Sequence, residues 1–306
     1  MDSTELTALR RRHRINKALD VFGKTLISAG LLLLLFVAYQ LWGTGLAEHQ
    51  AQNKLKSQFS AATTVPITTP TTAPTTTTIA PAPQTGDVVA EIIIDKIGLD
   101  KFVVAGIGYT ELEKGPGLFT GSPLPGQLGN VAIAGHRTTY GAPFGRLNEL
   151  ADGDRIVFHT THAQYVYLVV GAPKIVKSSD VDVIRTVDPT RATLTLITCH
   201  PKWTSKNRLL VTAQLLSSIT PQKATVFVAN NKAPESALTE GWFHDPSAWP
   251  IVAVYAVLLA LIAIAANWLT RRRYQRMVVY PIAAVVFLPV LFVFFTYLTR
   301  LLPTNL

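Results

Sequence analysis

Three stretches of this chain are apolar enough, over enough residues, to cross a lipid bilayer, and they limit what the remainder can be. Residues 26–42 read LISAGLLLLLFVAYQLW, and residues 249–269 and 277–298 form two more such runs. The third run carries Pro281 and Pro289 but no charge. Prolines are tolerated in membrane helices because neighbouring helices satisfy the carbonyls they leave over. A secretory signal would place a small-x-small cleavage site soon after the first run, and its apolar core would be shorter. The first run is therefore expected to remain as an anchor.

Charge follows the same division. The formal net charge is +9, which could point to nucleic acid or an anionic surface, but its location decides. Arg10, Arg11, Arg12, Arg14, Lys17 and Lys24 outweigh Asp2, Glu5 and Asp20 ahead of the first run, and RRRYQR, residues 271–276, separates the last two. Between residues 87 and 245 basic and acidic residues cancel, 15 against 15. The excess is thus a topology signal: basic segments stay cytoplasmic, so residues 44–248 and the C-terminus are expected outside the cell. No basic patch with interleaved aromatic residues is left in the extracellular part, which removes nucleic acid as a partner.

The expected organisation is a cytoplasmic tail over 1–23, a membrane helix over 24–44, and a juxtamembrane segment with a linker over 45–86. A β-domain over 87–228 and a linker over 229–247 follow, then membrane helices over 248–269 and 277–299 around a basic loop, 270–276, and a short tail, 300–306. Residues 45–60 can extend the first helix by a few turns. Residues 61–84 are almost wholly Thr, Pro and Ala, without charge or apolar periodicity, and read as a PPII-biased stalk, a candidate for O-glycosylation. The β-domain shows β-branched runs of strand length, among them AEIIIDKIGLDKFVVAGI, NVAIAGH, DRIVFHT, QYVYLVVGAPKIV, TLTLITC and RLLVTAQLL, separated by Gly/Pro clusters. Residues 144–150 are at best a short helix. Such a domain is all-β, a closed barrel or a sandwich, and pattern alone does not separate the two.

Chemistry concentrates on the chain's single cysteine, Cys199, in TLTLITCHP. One cysteine makes no intramolecular disulfide, and the outside of a cell is a poor place to keep a thiol without a use for it. Cys199 falls where a strand ends before Pro201, a position expected at an exposed rim. A thiol with a reference pKa of about 8.5 needs a base or a positive field to become a nucleophile. His136, directly after the strand NVAIAG, sits where a scaffold can hold a catalytic imidazole. His159 and His162, in FHTTHAQ, read as solvated residues of a hairpin turn. His200 would point away from Cys199 if the strand continues. Arg208 heads the next strand, and a hairpin would bring it back to the thiol, where a guanidinium can donate to an oxyanion or to substrate carbonyls.

The order of these motifs, AIAGHRTTYG, then TLITCHP, then NRLLV, resembles the sortases, the membrane-anchored cysteine transpeptidases of Gram-positive surfaces. The resemblance covers roughly residues 88–216 and implies a closed sortase-like β-barrel with short helices, beside one N-terminal and two C-terminal transmembrane helices. It implies that Cys199 attacks the Thr-Gly carbonyl of an LPxTG-type signal. His136 serves as acid and base, Arg208 steadies substrate or oxyanion, and an amine of a cell-wall precursor resolves the thioester. A minority thiolate–imidazolium pair is the active form in this family, so activity should fall at both pH extremes. No cofactor or metal is needed. TCHP and GHRTTYGAPF look most like the class E enzymes of actinobacteria, which favour LAxTG. Tyr140 matches the tyrosine tied to that preference, and Thr198 and His200 are placed beside the substrate with it. The expected partners are secreted proteins bearing such signals, a peptidoglycan-precursor amine or a pilin lysine, and the membrane.

The two C-terminal runs depart from the common plan of one anchor, and pilin-polymerising sortases also carry C-terminal spans, so a pilus role stays open. A non-enzymatic membrane adaptor with Cys199 buried in its core is the reading from another class. A papain-like hydrolase fits poorly, since that class expects its cysteine at a helix start with the histidine later in the chain.

Overall fold

The computed structural model describes residues 3–63, 82–216, 221, 246–272 and 275–301. Most of the Thr/Pro stalk, the linker ahead of the second apolar run, part of the basic loop and the last tail lie outside the described residues. The chain divides into two units, residues 1–43 and 44–306. The first holds helix α1, Ser3–Ala38, and a π-helical turn, Tyr39–Gly43. Among the described residues, three helical runs have the length and hydropathy to cross a membrane: Ile15–Thr63, Trp249–Arg271 and Arg276–Leu301.

The second unit opens with helix α2, Thr44–Thr63. Its Thr44, Glu48, Gln52 and Leu55 fall on one face at helical spacing, and all are buried. Gln52 acts as a short strand would. Its Oε1 accepts from the Phe102 N–H at 2.7 Å, and its Nε2 donates to the carbonyls of Phe102 at 3.0 Å and Lys114 at 2.7 Å. Glu48 pairs with Lys101 at 2.8 Å, and the Phe59 ring meets Phe102 at 5.4 Å.

The all-β expectation is met by a closed barrel. Strands β1 (Val88–Ile94), β2 (Leu99–Ala105), β3 (Gly117–Leu118), β4 (Gly129–Ala134), β5 (Arg155–His159), β6 (Gln164–Val169), β7 (Lys174–Lys177), β8 (Ala192–His200) and β9 (Asn207–Leu215) form one sheet. Its order is β6-β5-β1-β2-β3-β4-β8-β9, and pairing of β6 with β9 through Tyr167↔Leu215 and Val169↔Ala213 closes eight strands on themselves. Strand β7 takes the other half of that β9 edge, so the sheet keeps little open edge. Two pairs, β2–β3 and β4–β8, are parallel.

Two apolar layers follow from the period-2 alternation of the strands. Ile92, Ile94, Val131, Ile133, Phe158, Leu194, Leu196 and Val211 fill the barrel interior. The opposite faces of β4, β8 and β9 present Ala132, Ala134, Ile197, Cys199 and Leu210 to a second cluster, covered by Ile107, Leu112 and Phe119 around the one-turn helix α3, Tyr109–Leu112. The last two helices, α4 (Trp249–Arg271) and α5 (Arg276–Leu301), pack on each other with Tyr255 and Tyr297 stacked at 5.9 Å. At 1.5 Å per residue each exceeds the roughly 30 Å hydrocarbon thickness of a bilayer.

Candidate active site

The chemistry-bearing residues meet at one end of the barrel, and register puts them there. In the parallel β4–β8 ladder each residue of β4 partners the one 63 positions later, from Gly129↔Ala192 to Ala134↔Ile197. The ladder continues past the strand: the Gly135 N–H donates to the Ile197 carbonyl at 3.0 Å, and the Thr198 hydroxyl donates to the Gly135 carbonyl at 2.8 Å. The same offset then brings His136 level with Cys199. On the other flank, the antiparallel β8–β9 ladder pairs Cys199 with Arg208 and His200 with Asn207. Directly opposed residues of an antiparallel pair share a face, so the Cys199 and Arg208 side chains project to the same side.

Gly135 is required where it is by close approach. A Cβ there would lie 2.6 Å from the Phe144 ring, whose backbone N–H donates to the His136 carbonyl at 3.0 Å. The turn carrying His136 is thus seated on a barrel-core side chain.

All three groups are covered. Cys199 is 1% exposed, His136 2% and Arg208 1%. The exposed rim expected for Cys199 is not found: the Ile107, Leu112 and Phe119 layer lies over the outer faces of β4 and β8 and takes the sulfur into its cluster. Burial sets the charges. Desolvation pulls the His136 imidazole from about 6.5 down to about 4, so it is neutral at neutral pH. Burial also lowers Arg208, opposed by its attraction to Cys199, and its Nη1 donates to the carbonyls of Ser205 at 2.9 Å and Asn207 at 3.1 Å. A guanidinium so held keeps its proton and gives the sulfur a fixed positive neighbour.

The other expected contacts resolve individually. The Tyr140 ring lies against the His136 ring, centroids 5.0 Å apart and 35° between planes. Thr198 alternates to the face opposite Cys199, and its hydroxyl joins β8 to the His136 turn. His200 does turn away from Cys199, and its Nδ1 lies 3.0 Å from Arg137 Nη1. His159 is no loop residue: it ends β5, and its Nδ1 meets Glu91 at 2.9 Å. His162 stays in the turn, where its N–H donates to the Thr160 hydroxyl at 3.3 Å.

Sequence reasoning passed over Arg137. Its side chain is buried, Nη1 donates to the Cys199 carbonyl at 2.9 Å, and Nη2 donates to Asn148 Oδ1 at 2.9 Å. It ties the backbone of the thiol to the turn bearing the imidazole. The signal was an arginine directly after the candidate histidine. Among the described residues no group of three or more His, Cys, Asp or Glu side chains could hold a metal ion.

Residues 92–216 match the family model described as Sortase domain. Sortase SrtE1 of Streptomyces coelicolor is 32% identical over 224 residues, which cover 68% of this chain and 61% of that protein. Sortase SrtE2 of the same organism is 29% identical over 226 residues, covering 68% of this chain and 86% of SrtE2. The solved sortase E from Streptomyces avermitilis is 36% identical over 44% of this chain and 90% of its own, with a TM-score of 0.40. The alignment with SrtE1 thus spans less than two thirds of that protein's length. With its sortase domain over residues 92–216 and its sequence similarity to the Streptomyces coelicolor sortases, the chain belongs to the sortase family.

Proposed function

We propose that this protein is a membrane-anchored, extracellular sortase that joins secreted proteins to an amine at the cell surface, with Cys199 as nucleophile, His136 as acid and base, and Arg208 as the cation beside them. The observation that carries the reading is the placement of Cys199 on the middle strand of three. Arg208 stands opposite it on one flank, and the turn bearing His136 is bonded to Ile197 and Thr198 on the other.

The Cys199 thiol passes its proton to the neutral His136 imidazole, and the thiolate so formed adds to the threonine carbonyl of an LPxTG- or LAxTG-type signal, making a C–S bond and an oxyanion, with Arg208 supplying positive charge there. Collapse of the adduct breaks the Thr–Gly C–N bond, and the His136 imidazolium gives its proton to the departing glycine amine. The enzyme is left as a thioester. An incoming amine attacks it, His136 takes the proton from the new ammonium, and the thiolate leaves with an amide in its place. Every bond broken is replaced and no oxidant or metal enters.

Membrane attachment is supported by the three long apolar helices. The basic residues before the first and between the last two favour a cytoplasmic N-terminus, with the β-barrel outside. The favoured acceptor is a cell-wall precursor amine. The pilin-lysine alternative shares every catalytic step.

The test is to incubate the full-length chain in phospholipid vesicles with LAxTG and LPxTG reporter peptides and an amine acceptor. Cleavage with transfer, lost in Cys199→Ala, is expected. A chain that processes neither peptide, or a Cys199→Ala variant as active as the parent, would refute the reading and favour a binding domain with a core cysteine.

A further inference from the structure

The last apolar helix ends on the catalytic domain. Arg300, near the end of α5, places Nε 3.2 Å from Glu113 Oε1 and Nη2 3.0 Å from Oε2, a two-point fork across 187 residues of sequence. Glu113 caps the single turn α3, in the layer covering Cys199. The same Oε1 accepts the Tyr140 hydroxyl at 3.3 Å, and Tyr140 is the residue whose ring rests on His136.

Backbone geometry shows why Tyr140 needs holding. Tyr140, Gly141 and Ala142 lie in succession in the left-handed region, with φ of 50°, 71° and 45°. A non-glycine residue there is disfavoured by about 1–2 kcal/mol and persists only where its surroundings fix it. Three fixings are present. The Tyr140 N–H donates to the Thr44 hydroxyl of α2 at 3.2 Å. Gly141 faces Glu48 of α2, whose Oε2 would lie 2.6 Å from any added Cβ. The Tyr140 hydroxyl is held by the Glu113–Arg300 pair.

We propose that the C-terminal membrane hairpin is a positioning element of the active site, in which Arg300, acting through Glu113, holds Tyr140 against His136. The proposal rests on the sortase reading of His136 and Cys199. It gives the two C-terminal helices work besides attachment. A guanidinium near the end of an apolar helix reaches out of the hydrocarbon for a partner, and here that partner belongs to the catalytic domain. Without Arg300, Glu113 would turn to water and the Tyr140 hydroxyl would lose its acceptor. The left-handed turn would lose its tie to the C-terminal hairpin, and the Tyr140 ring would rest less firmly against the imidazole.

The experiment uses the full chain in phospholipid vesicles, with Arg300→Ala, Arg300→Lys, Glu113→Gln and Tyr140→Phe, and Arg300→Ala combined with Tyr140→Phe. One readout is kcat and KM on the LAxTG reporter. The other needs no sortase activity: the pH dependence of Cys199 alkylation by iodoacetamide, read by intact mass because the chain has one cysteine. Arg300→Ala is expected to lower kcat on the order of tenfold with little change in KM. It is also expected to shift the alkylation profile in the same direction as Tyr140→Phe. Arg300→Lys should recover most of both, and the double variant should be no worse than Tyr140→Phe alone. An unchanged alkylation profile in Arg300→Ala, or additive losses in the double variant, would overturn the proposal and leave the hairpin a tether. A parent chain inactive on every reporter would instead count against the sortase reading, while the alkylation profiles would still decide the positioning role.

Discussion

Cys199 and Arg208 stand directly opposite each other across the β8–β9 ladder, on the same face of the barrel wall. The hairpin that joins them turns through residues 201–206, so a short piece of chain delivers both the sulfur and its cation. Arg208→Lys keeps the charge but loses the planar guanidinium whose Nη1 donates to both the Ser205 and Asn207 carbonyls. A fall in kcat/KM of roughly a hundredfold is expected, with an unchanged circular dichroism spectrum. Activity within twofold of the parent would show that the guanidinium shape is not used.

His136 makes stability depend on pH in a definite direction. Its folded value is about 4 against about 6.5 when unfolded, so below pH 6.5 the unfolded chain binds the extra proton. The stabilisation from keeping the imidazole neutral is complete above about pH 6.5, declines as pH falls, and is gone once pH passes below about 4. At most it amounts to roughly 3 kcal/mol. Thermal midpoints between pH 7.5 and 4.5 should drop more steeply for the parent than for His136→Asn; parallel curves would remove the claim.

Arg137 reaches the Cys199 carbonyl and Asn148 at once. Arg137→Ala leaves the buried Cys199 carbonyl without that donor, a loss of about 1–3 kcal/mol by the usual cost of a stranded polar group, while the exposed Asn148 turns to water. The expected result is a lower thermal midpoint and a lower kcat, and Arg137→Lys should recover only part, since one ammonium cannot span both acceptors. A kcat untouched in Arg137→Ala would confine the residue to stability.

Much of the barrel was legible because its strands obey simple alternation. TLTLITC and RLLVTAQLL became β8 and β9 with Cys199 and Arg208 in register, as a hairpin requires. Strand β3 was not legible, since Gly117–Leu118 lies inside a Gly/Pro cluster that reads as turn and is strand only because β2 and β4 flank it. The layer burying Cys199 could not be read either. It comes from Ile107, Leu112 and Phe119, scattered through loops with no period of their own. The same holds for α2, whose Thr44, Glu48 and Gln52 look like solvated residues until their partners, Tyr140 for Thr44 and β2 for the other two, are seen.

Gln52 tests that docking. Replacing it by alanine strips the Phe102 N–H, the Phe102 carbonyl and the Lys114 carbonyl of their shared partner. Gln52→Ala should destabilise the chain by about 1–3 kcal/mol and raise amide exchange at Phe102. Protection equal to the parent would mean that α2 does not hold the barrel in solution.

The most direct measurement is intact mass after the full-length chain is mixed with an LAxTG reporter and no amine acceptor. An adduct equal to the reporter up to its threonine, localised to Cys199 and released on adding an amine, is the expected result. An unmodified chain beside cleaved reporter, or an adduct that persists in Cys199→Ala, would contradict thioester chemistry at this cysteine.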